Sequence, residues 1–341
     1  MTSVFSEKRN LRSEIAASGT APDIAGAAAL LEVGEALGLV GTIGSSPSFT
    51  ALGLAAAVDL PEEGVAQYLE ALAAAGIVTP VPDDPSAFRA ADDFAEIRHQ
   101  AGYVSWAMNA NRPFIEHARE FLTDPERAKS AYHRNGRHVA VSSQWMGSMA
   151  FYPAALETIS DAAPKRLADL GSGTCRLLIE ILLASPETTG VGLDIDPAAC
   201  AAARQAAEDA GVADRLTVFE LPIQTIAEDP SPLEGVDLVH AGFVFHDMMP
   251  EEEQIADRVL TNCRDTIQKG GVMAITEAVP YARSARERRF SSIVTYYHQQ
   301  FMYRRLLTED EWRSKLLGAG FFKVDCIELG FPTGRLFVAT K

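Results

Sequence analysis

Cysteine is scarce in this chain of 341 residues: there are four, Cys175, Cys200, Cys263 and Cys326, spread far apart. That spread excludes a disulfide frame and a zinc-ligand set, and predicts reduced thiols in the cytoplasm. Positive charge is also in short supply. Thirty Lys and Arg stand against 46 Asp and Glu, a net charge of −16. Such a balance argues against nucleic acid or an anionic membrane as a partner. No apolar run is long enough to span a bilayer, and the opening MTSVFSEKRNLRSE lacks the apolar core of a signal peptide. Internal repeats and low-complexity tracts are missing too, beyond a general richness in alanine. What the chain does have is 47% hydrophobic residues, enough at this length for more than one sizeable core.

The most informative stretch is Arg166 to Asp196, RLADLGSGTCRLLIEILLASPETTGVGLDID. Leu167–Leu170 is too short for a helix and runs directly into Gly171-Ser172-Gly173. From Cys175 the spacing turns helical, with Leu178, Ile179 and Leu182 on one face, and Thr189–Asp194 is again strand-like. One βαβ unit results, with Asp169 and Asp194 closing its strands. A dinucleotide fingerprint would need a third glycine where Arg176 stands. Asp-x-Gly-x-Gly with a later carboxylate instead resembles motif I of class I S-adenosylmethionine methyltransferases. The resemblance implies that Gly171 and Gly173 let the amino-acid tail of the donor approach bare backbone. It implies as well that Asp169 belongs to the donor site and that Asp194 accepts the two ribose hydroxyls.

Around this unit the chain reads as 1–100, 101–160 and 161–341. Helical periodicity begins near Asp23. Thr50–Val78 resembles a helix-turn-helix, followed by a Pro/Asp loop (Pro80–Pro85) with the place of a wing. Ala51 to Thr79 contains Asp59, Glu62, Glu63 and Glu70 and no Lys or Arg, so a recognition helix here would repel phosphate. The same arrangement precedes the catalytic domain of winged-helix small-molecule methyltransferases, and the resemblance implies a dimerisation domain and a homodimer. Phe94–Leu122 and Val139–Ile159 read as connecting helices. Between them the basic loop Tyr132–His138 offers Arg134 or Arg137 as a clamp for a substrate carboxylate, or simply a solvated turn. Trp106, Trp145 and Met149, with Phe243 and Phe290, are candidates for an apolar substrate pocket.

Beyond Asp196 the alternation continues: helix Pro197–Ala210, strand Leu216–Leu221, strand Val236–Ala241, helix Glu251–Ile267, strand Val272–Glu277, helices Ser284–Arg305 and Thr308–Gly318, and the hairpin Lys323–Leu329 with Arg335–Thr340. The predicted class is α/β, a Rossmann-like seven-stranded sheet with one antiparallel strand near its edge. The resembled family expects an acid after the third strand to read adenine. Phe219-Glu220-Leu221-Pro222-Ile223-Gln224 offers Gln224 or backbone instead.

After the fourth strand comes Gly242-Phe243-Val244-Phe245-His246-Asp247. Strand ends of an α/β sheet bind ligands, so His246 is expected to face the donor methyl group. The segment resembles the His-Asp motif of winged-helix O-methyltransferases, where the histidine is the general base. Glu277 fits one of the two acids that steady such a base. The place of the second holds Arg304-Arg305-Leu306-Leu307, and the Arg-rich ends of the preceding helix read as solvated.

His298, flanked by Val294 and Phe301 at helical spacing, points inward, either as a hydrogen-bonded core residue or as a metal ligand. The combination also resembles the α-keto acid C-methyltransferases of antibiotic biosynthesis. That resemblance implies a non-haem iron on His246 and His298, chelated by a 2-oxo acid such as phenylpyruvate or 4-methyl-2-oxopentanoate, with Asp247 orienting His246. Three functions stay open at this stage. The preferred one is C-methylation of a 2-oxo acid, the alternative is O-methylation of a hydroxyl with His246 as base, and the last is a non-catalytic S-adenosylmethionine-binding regulator.

Overall fold

The computed structural model describes residues 21–281 and 288–341. The polar opening of the chain and the segment containing Ser284, Arg283 and Arg286 lie outside them. Contacts divide the chain into two compact units, Met1–Met149 and Ala150–Lys341. The division runs through 101–160, the stretch expected to connect two domains. Among the described residues no helix is long and apolar enough to cross a membrane.

In the first unit, α1 (Ala21–Ala36) and α2 (Val40–Ser45) lead to the short strand β1 (Phe49–Thr50). The helix-turn-helix follows as α3 (Ala51–Val58) and α4 (Glu62–Ala74). Thr50 caps α3 by accepting from the Gly53 amide, and Asp59, in the left-handed region, ends it. The expected wing is a hairpin of β2 (Val78–Val81) and β3 (Asp84–Ala90), completed by β1 into an antiparallel sheet of order β1-β3-β2. Leu31, Leu54, Leu69, Leu72 and Ile77 fill the core.

The long helix expected over Phe94–Leu122 is broken. It becomes α5 (Phe94–Val104), a π-helical turn (Ser105–Ala110), α6 (Arg112–Glu116) and α7 (Ala118–Thr123). Pro113 lacks an amide hydrogen and is tolerated only in a first turn, so the helix restarts there. Asn111 closes the break by donating from Nδ2 to the Trp106 carbonyl at 2.7 Å. Then come α8 (Pro125–Ala131) and α9 (Gly136–Ala150). Pro153 divides the second expected helix in the same way, and α10 (Tyr152–Ala162) opens the second unit.

The second unit alternates β4 (Arg166–Leu170), α11 (Arg176–Ala184), β5 (Thr189–Asp194), α12 (Pro197–Asp209), β6 (Leu216–Glu220), β7 (Leu238–Gly242), α13 (Glu253–Thr266) and β8 (Val272–Ala278). After α14 (Arg288–Gln300) and α15 (Glu309–Gly318) come β9 (Lys323–Glu328) and β10 (Gly334–Thr340). The sheet has seven strands in the order β6-β5-β4-β7-β8-β10-β9. β4 to β8 are parallel, and β10 runs antiparallel to β8 and β9.

Both faces are apolar. Ala168, Leu170, Val191, Leu193, Val239 and Ala241 join the cluster with α13 and α15, while Leu167 and Leu238 join the one with α11 and α12. Each large side chain removed from water contributes about 1.5–3 kcal/mol, which is why these strands read as continuous apolar runs. Thr308 and Glu311 form the capping box that starts α15. The strand order reverses between β4 and β7, and their carboxyl ends open the crevice where ligands of such sheets bind.

Candidate active site

The glycine turn leaves β4 as expected. Gly171 and Gly173 take positive φ values of 71° and 53°. A Cβ on Gly171 would also collide with Val244, from the segment after β7. The two acids of the motif point their oxygens at specific partners. Asp194 accepts from the Gly173 amide at 2.7 Å and from the Asp196 amide at 2.9 Å, so it holds the turn against the end of β5. Asp169 is buried and accepts from His240 Nδ1 at 2.7 Å. Gln224 sits in a 3-10 turn after β6 and donates to Glu252 at 2.7 Å.

His246 lies in a 3-10 turn, Phe245–Met248, just past β7. Glu277, fully buried near the end of β8, secures it three times over. Its Oε1 accepts from the Phe245 and His246 amides at 2.9 and 3.2 Å, and its Oε2 takes the imidazole Nδ1 at 2.8 Å. That last bond sets the tautomer and leaves Nε2 to do chemistry.

Nε2 stands 3.1 Å from Asp247 Oδ1, which is also 2.8 Å from the Arg304 guanidinium. The resembled family expects a second acid before α15, where this chain has none; the carboxylate beside Nε2 is that of Asp247. Burial opposes charge on His246, but Glu277 and then Asp247 outweigh it and lift the imidazole to about 9.

Two arginines expected to be solvated are engaged. Arg304 holds Asp247, and Arg305 bonds Glu311 and Glu253 while its amide donates to the Met249 carbonyl. Asp247, Met249 and Glu253 lie on elements more than fifty residues away in sequence, which only the fold brings near, whereas Glu311 is a near neighbour of Arg305.

His298 is inward, as its flanks predicted, and 6% exposed on α14. Its Nδ1 donates to the Val294 carbonyl at 2.7 Å, one turn back, and its ring stands edge-on to His246 with centroids 5.0 Å apart. With both Nδ1 atoms engaged, Nε2 is the nitrogen that each ring would offer to a metal ion. Among the described residues no group of three or more His, Cys, Asp or Glu converges into a metal cage.

The candidates for the apolar pocket are distributed over both units. Phe243 and Phe290 each pack edge-on against Phe331 at 5.9 Å, and Phe151 meets Phe243 edge-on at 4.9 Å, so the second unit carries an aromatic cluster. Phe151 and Phe331 gave no sequence signal, lying in a helix break and a hairpin loop. The remaining candidates belong to the first unit. Trp145 is built into its hydrophobic core, Trp106 is buried in the π-helical turn, Met149 is half exposed, and Arg134 lies in the loop before α9. Arg137, the other clamp candidate, pairs with Glu35 at 3.1 Å.

Comparison with known proteins bears on this geometry. Residues 168–273 match the family model described as a methyltransferase domain. Over 113 residues the chain is 29% identical to 3-hydroxy-5-methyl-1-naphthoate 3-O-methyltransferase of Streptomyces sahachiroi, covering 33% of this chain and 30% of that protein. Over 160 residues it is 28% identical to aclacinomycin 10-hydroxylase of Streptomyces purpurascens, covering 47% and 40%. The aligned region thus spans well under half the length of the curated relatives. The structure of human N-acetylserotonin methyltransferase in complex with S-adenosylmethionine superposes with a TM-score of 0.58 over 92% of this chain and 93% of that one, at 15% identity. The fold is that of class I S-adenosylmethionine methyltransferases, with a mixed seven-stranded sheet and an N-terminal helical domain.

Proposed function

We propose that this chain transfers the methyl group of S-adenosylmethionine to an oxygen of a small hydroxylated acceptor, with His246 as general base. The observation that carries the reading is the imidazole fixed through Nδ1 by buried Glu277 at 2.8 Å, immediately beyond β7. Asp247, about half exposed, gives way to the acceptor hydroxyl at Nε2. As the acceptor oxygen attacks the methyl carbon in line with the departing sulfur, Nε2 takes the hydroxyl proton and Glu277 stabilises the imidazolium. The bond to sulfur breaks, and S-adenosylhomocysteine leaves. The O-methyltransferase name of one relative supports oxygen over carbon. The Phe151, Phe243, Phe290 and Phe331 cluster supports an aromatic acceptor. The proposed partners are this small molecule and, through the first unit, a second copy of the chain.

One observation favours a second reading, the C-methylation preferred from sequence: the edge-on His246 and His298 rings at 5.0 Å. His246 and His298 would hold an iron or similar ion, whose Lewis acidity would ease loss of a proton from the β-carbon of a chelated 2-oxo acid. Arg134 is the candidate clamp for the substrate carboxylate in that reading. The comparisons add no support for carbon as the acceptor or for iron.

A panel of phenols and 2-oxo acids, each with and without EDTA and with His298→Ala, separates the two. O-methylation predicts turnover of a phenol that EDTA leaves unchanged. Chelator-sensitive turnover confined to 2-oxo acids, abolished by His298→Ala, would overturn it.

A further inference from the structure

When an acceptor hydroxyl takes Nε2 of His246, Asp247 must move, and Arg304 is affected as well. A single oxygen, Asp247 Oδ1, stands 3.1 Å from His246 Nε2 and 2.8 Å from Arg304 Nη1. That shared contact is lost when the hydroxyl takes the place of Oδ1. The Arg304 backbone is poorly placed to follow the departing carboxylate. Its amide donates to the His298 carbonyl of α14 at 2.8 Å, and the Arg305 amide donates to the Met249 carbonyl at 3.1 Å. Tyr303 just before it takes φ 55°, a left-handed conformation seldom adopted by residues other than glycine. The chain is thus bent and tied so as to present Arg304 beside the base.

The Arg304 side chain is 24% exposed, so its charge is largely withdrawn from water. A cation in that setting is costly to leave without an anion. Arg305 faces no such change, because Glu311 and Glu253 hold its guanidinium and its pairing does not depend on Asp247. Arg304 is therefore the cation whose counter-charge is displaced each time the base is used. An acceptor that brings its own carboxylate replaces what Asp247 takes away. The planar guanidinium fork matches a carboxylate with two parallel hydrogen bonds. One oxygen now touches both nitrogens, so a hydroxyl and a carboxylate a few bonds apart on one ring can reach both. The elements that supply this head group also supply apolar rings. Phe243 lies three residues before His246, Phe290 is on α14, and both pack on Phe331.

We infer that the acceptor is an aryl hydroxy acid, its hydroxyl at His246 Nε2 and its carboxylate on Arg304 in place of Asp247. The inference rests on the O-methylation reading above and adds the class of acceptor. The acceptor's carboxylate keeps its charge throughout. The hydroxyl proton passes to Nε2, the hydroxyl oxygen takes the methyl group as its bond to sulfur breaks, and the product is an ether acid, not an ester.

The test sets 2- and 3-hydroxybenzoate and 3-hydroxy-2-naphthoate against their primary amides, which keep ring and hydroxyl but carry no charge. With the wild type, KM should be lower for the acids by about ten- to a hundredfold, the range for a bond to a charged group. Arg304→Gln should erase most of that preference by raising KM for the acids, and Arg304→Lys should restore part of it. The ratio of acid to amide cancels general damage in either variant, and calorimetry with S-adenosylhomocysteine shows whether they are folded. A wild type with equal KM for acids and amides overturns the inference and leaves O-methylation standing, whatever the variants do. An acid preference that folded Arg304→Gln keeps in full overturns it as well. So do methyl esters as products, recognised because alkaline hydrolysis returns the free acid. A wild type inert toward acids, amides and phenols alike removes the O-methylation reading and this inference with it.

Discussion

One segment of chain, from β7 into the turn that follows, carries two histidines, and each hands its Nδ1 to a buried carboxylate. His240 gives it to Asp169 at 2.7 Å, His246 to Glu277 at 2.8 Å. The pairs are alike in chemistry and differ in setting. His240 is part of a strand, so the pleat fixes its direction, and it lines a cavity of about 110 Å³. His246 sits in a 3-10 turn beyond the strand end, where Asp247, Arg304 and the His298 ring all reach it. A histidine held by one acid is a fixed hydrogen-bonding group. One held between two acids at an open strand end is a group that can take and release a proton. The comparison teaches that two imidazoles with the same kind of first partner are told apart by what reaches the second nitrogen.

Several substitutions sharpen or break this contrast. The largest effect is expected from His246→Ala, which should lower turnover by about 10²–10⁴-fold while S-adenosylhomocysteine binding stays within a fewfold of wild type. Comparable losses in both would mean that His246 binds the donor, and the distinction between the two histidines would vanish. Next is Glu277→Gln, which keeps an acceptor for the two backbone amides but loses the charge opposite the imidazolium. A ten- to hundredfold fall in kcat is expected, the scale seen when a group orienting a reactive histidine is removed.

The pH dependence of turnover comes third. In the free protein a base lifted to about 9 must lose its proton to act, so kcat/KM should climb with pH and level off only above 9. Stability runs the other way. Because the folded value lies above the ordinary 6.5 of histidine, the contribution is fully present below about 6.5 and is lost as pH rises through about 9. Thermal melts at pH 6 and pH 9.5 check this, and a flat kcat/KM profile between those values would sink the general-base assignment. The smallest effect is a shift of that profile in Arg304→Ala. Removing the cation 2.8 Å from Asp247 leaves that carboxylate more negative toward His246, so the kinetic midpoint should move up by a few tenths of a pH unit.

Much of the fold could be read from the chain because its signals are local. The apolar runs flanking Gly171–Gly173, the acids closing them and the Thr308 cap are all set within a few residues, and the structure places them where they were expected. The inward face of His298 was legible for the same reason, since helical spacing put it beside Val294 and Phe301. The broken connecting helices were foreshadowed only by Pro113 and Pro153, whose missing amide hydrogens stop a helix that periodicity alone would continue.

The partners of the reactive groups were a different matter. Asp247 as second acid, Arg304 behind it, His240 on Asp169 and Phe331 in the aromatic cluster all depend on contacts between distant elements. By itself the sequence determined a glycine turn between two strands closed by acids, a parallel sheet with an antiparallel strand near its edge, and the place of His246 at a strand end. Glycine conformations, strand lengths and caps are properties of short segments, which is why those could be read directly. Only the tertiary structure decided what each imidazole touches, because a tautomer and a proton affinity are set by charges a few ångströms away in space, contributed by strands and loops far apart along the chain.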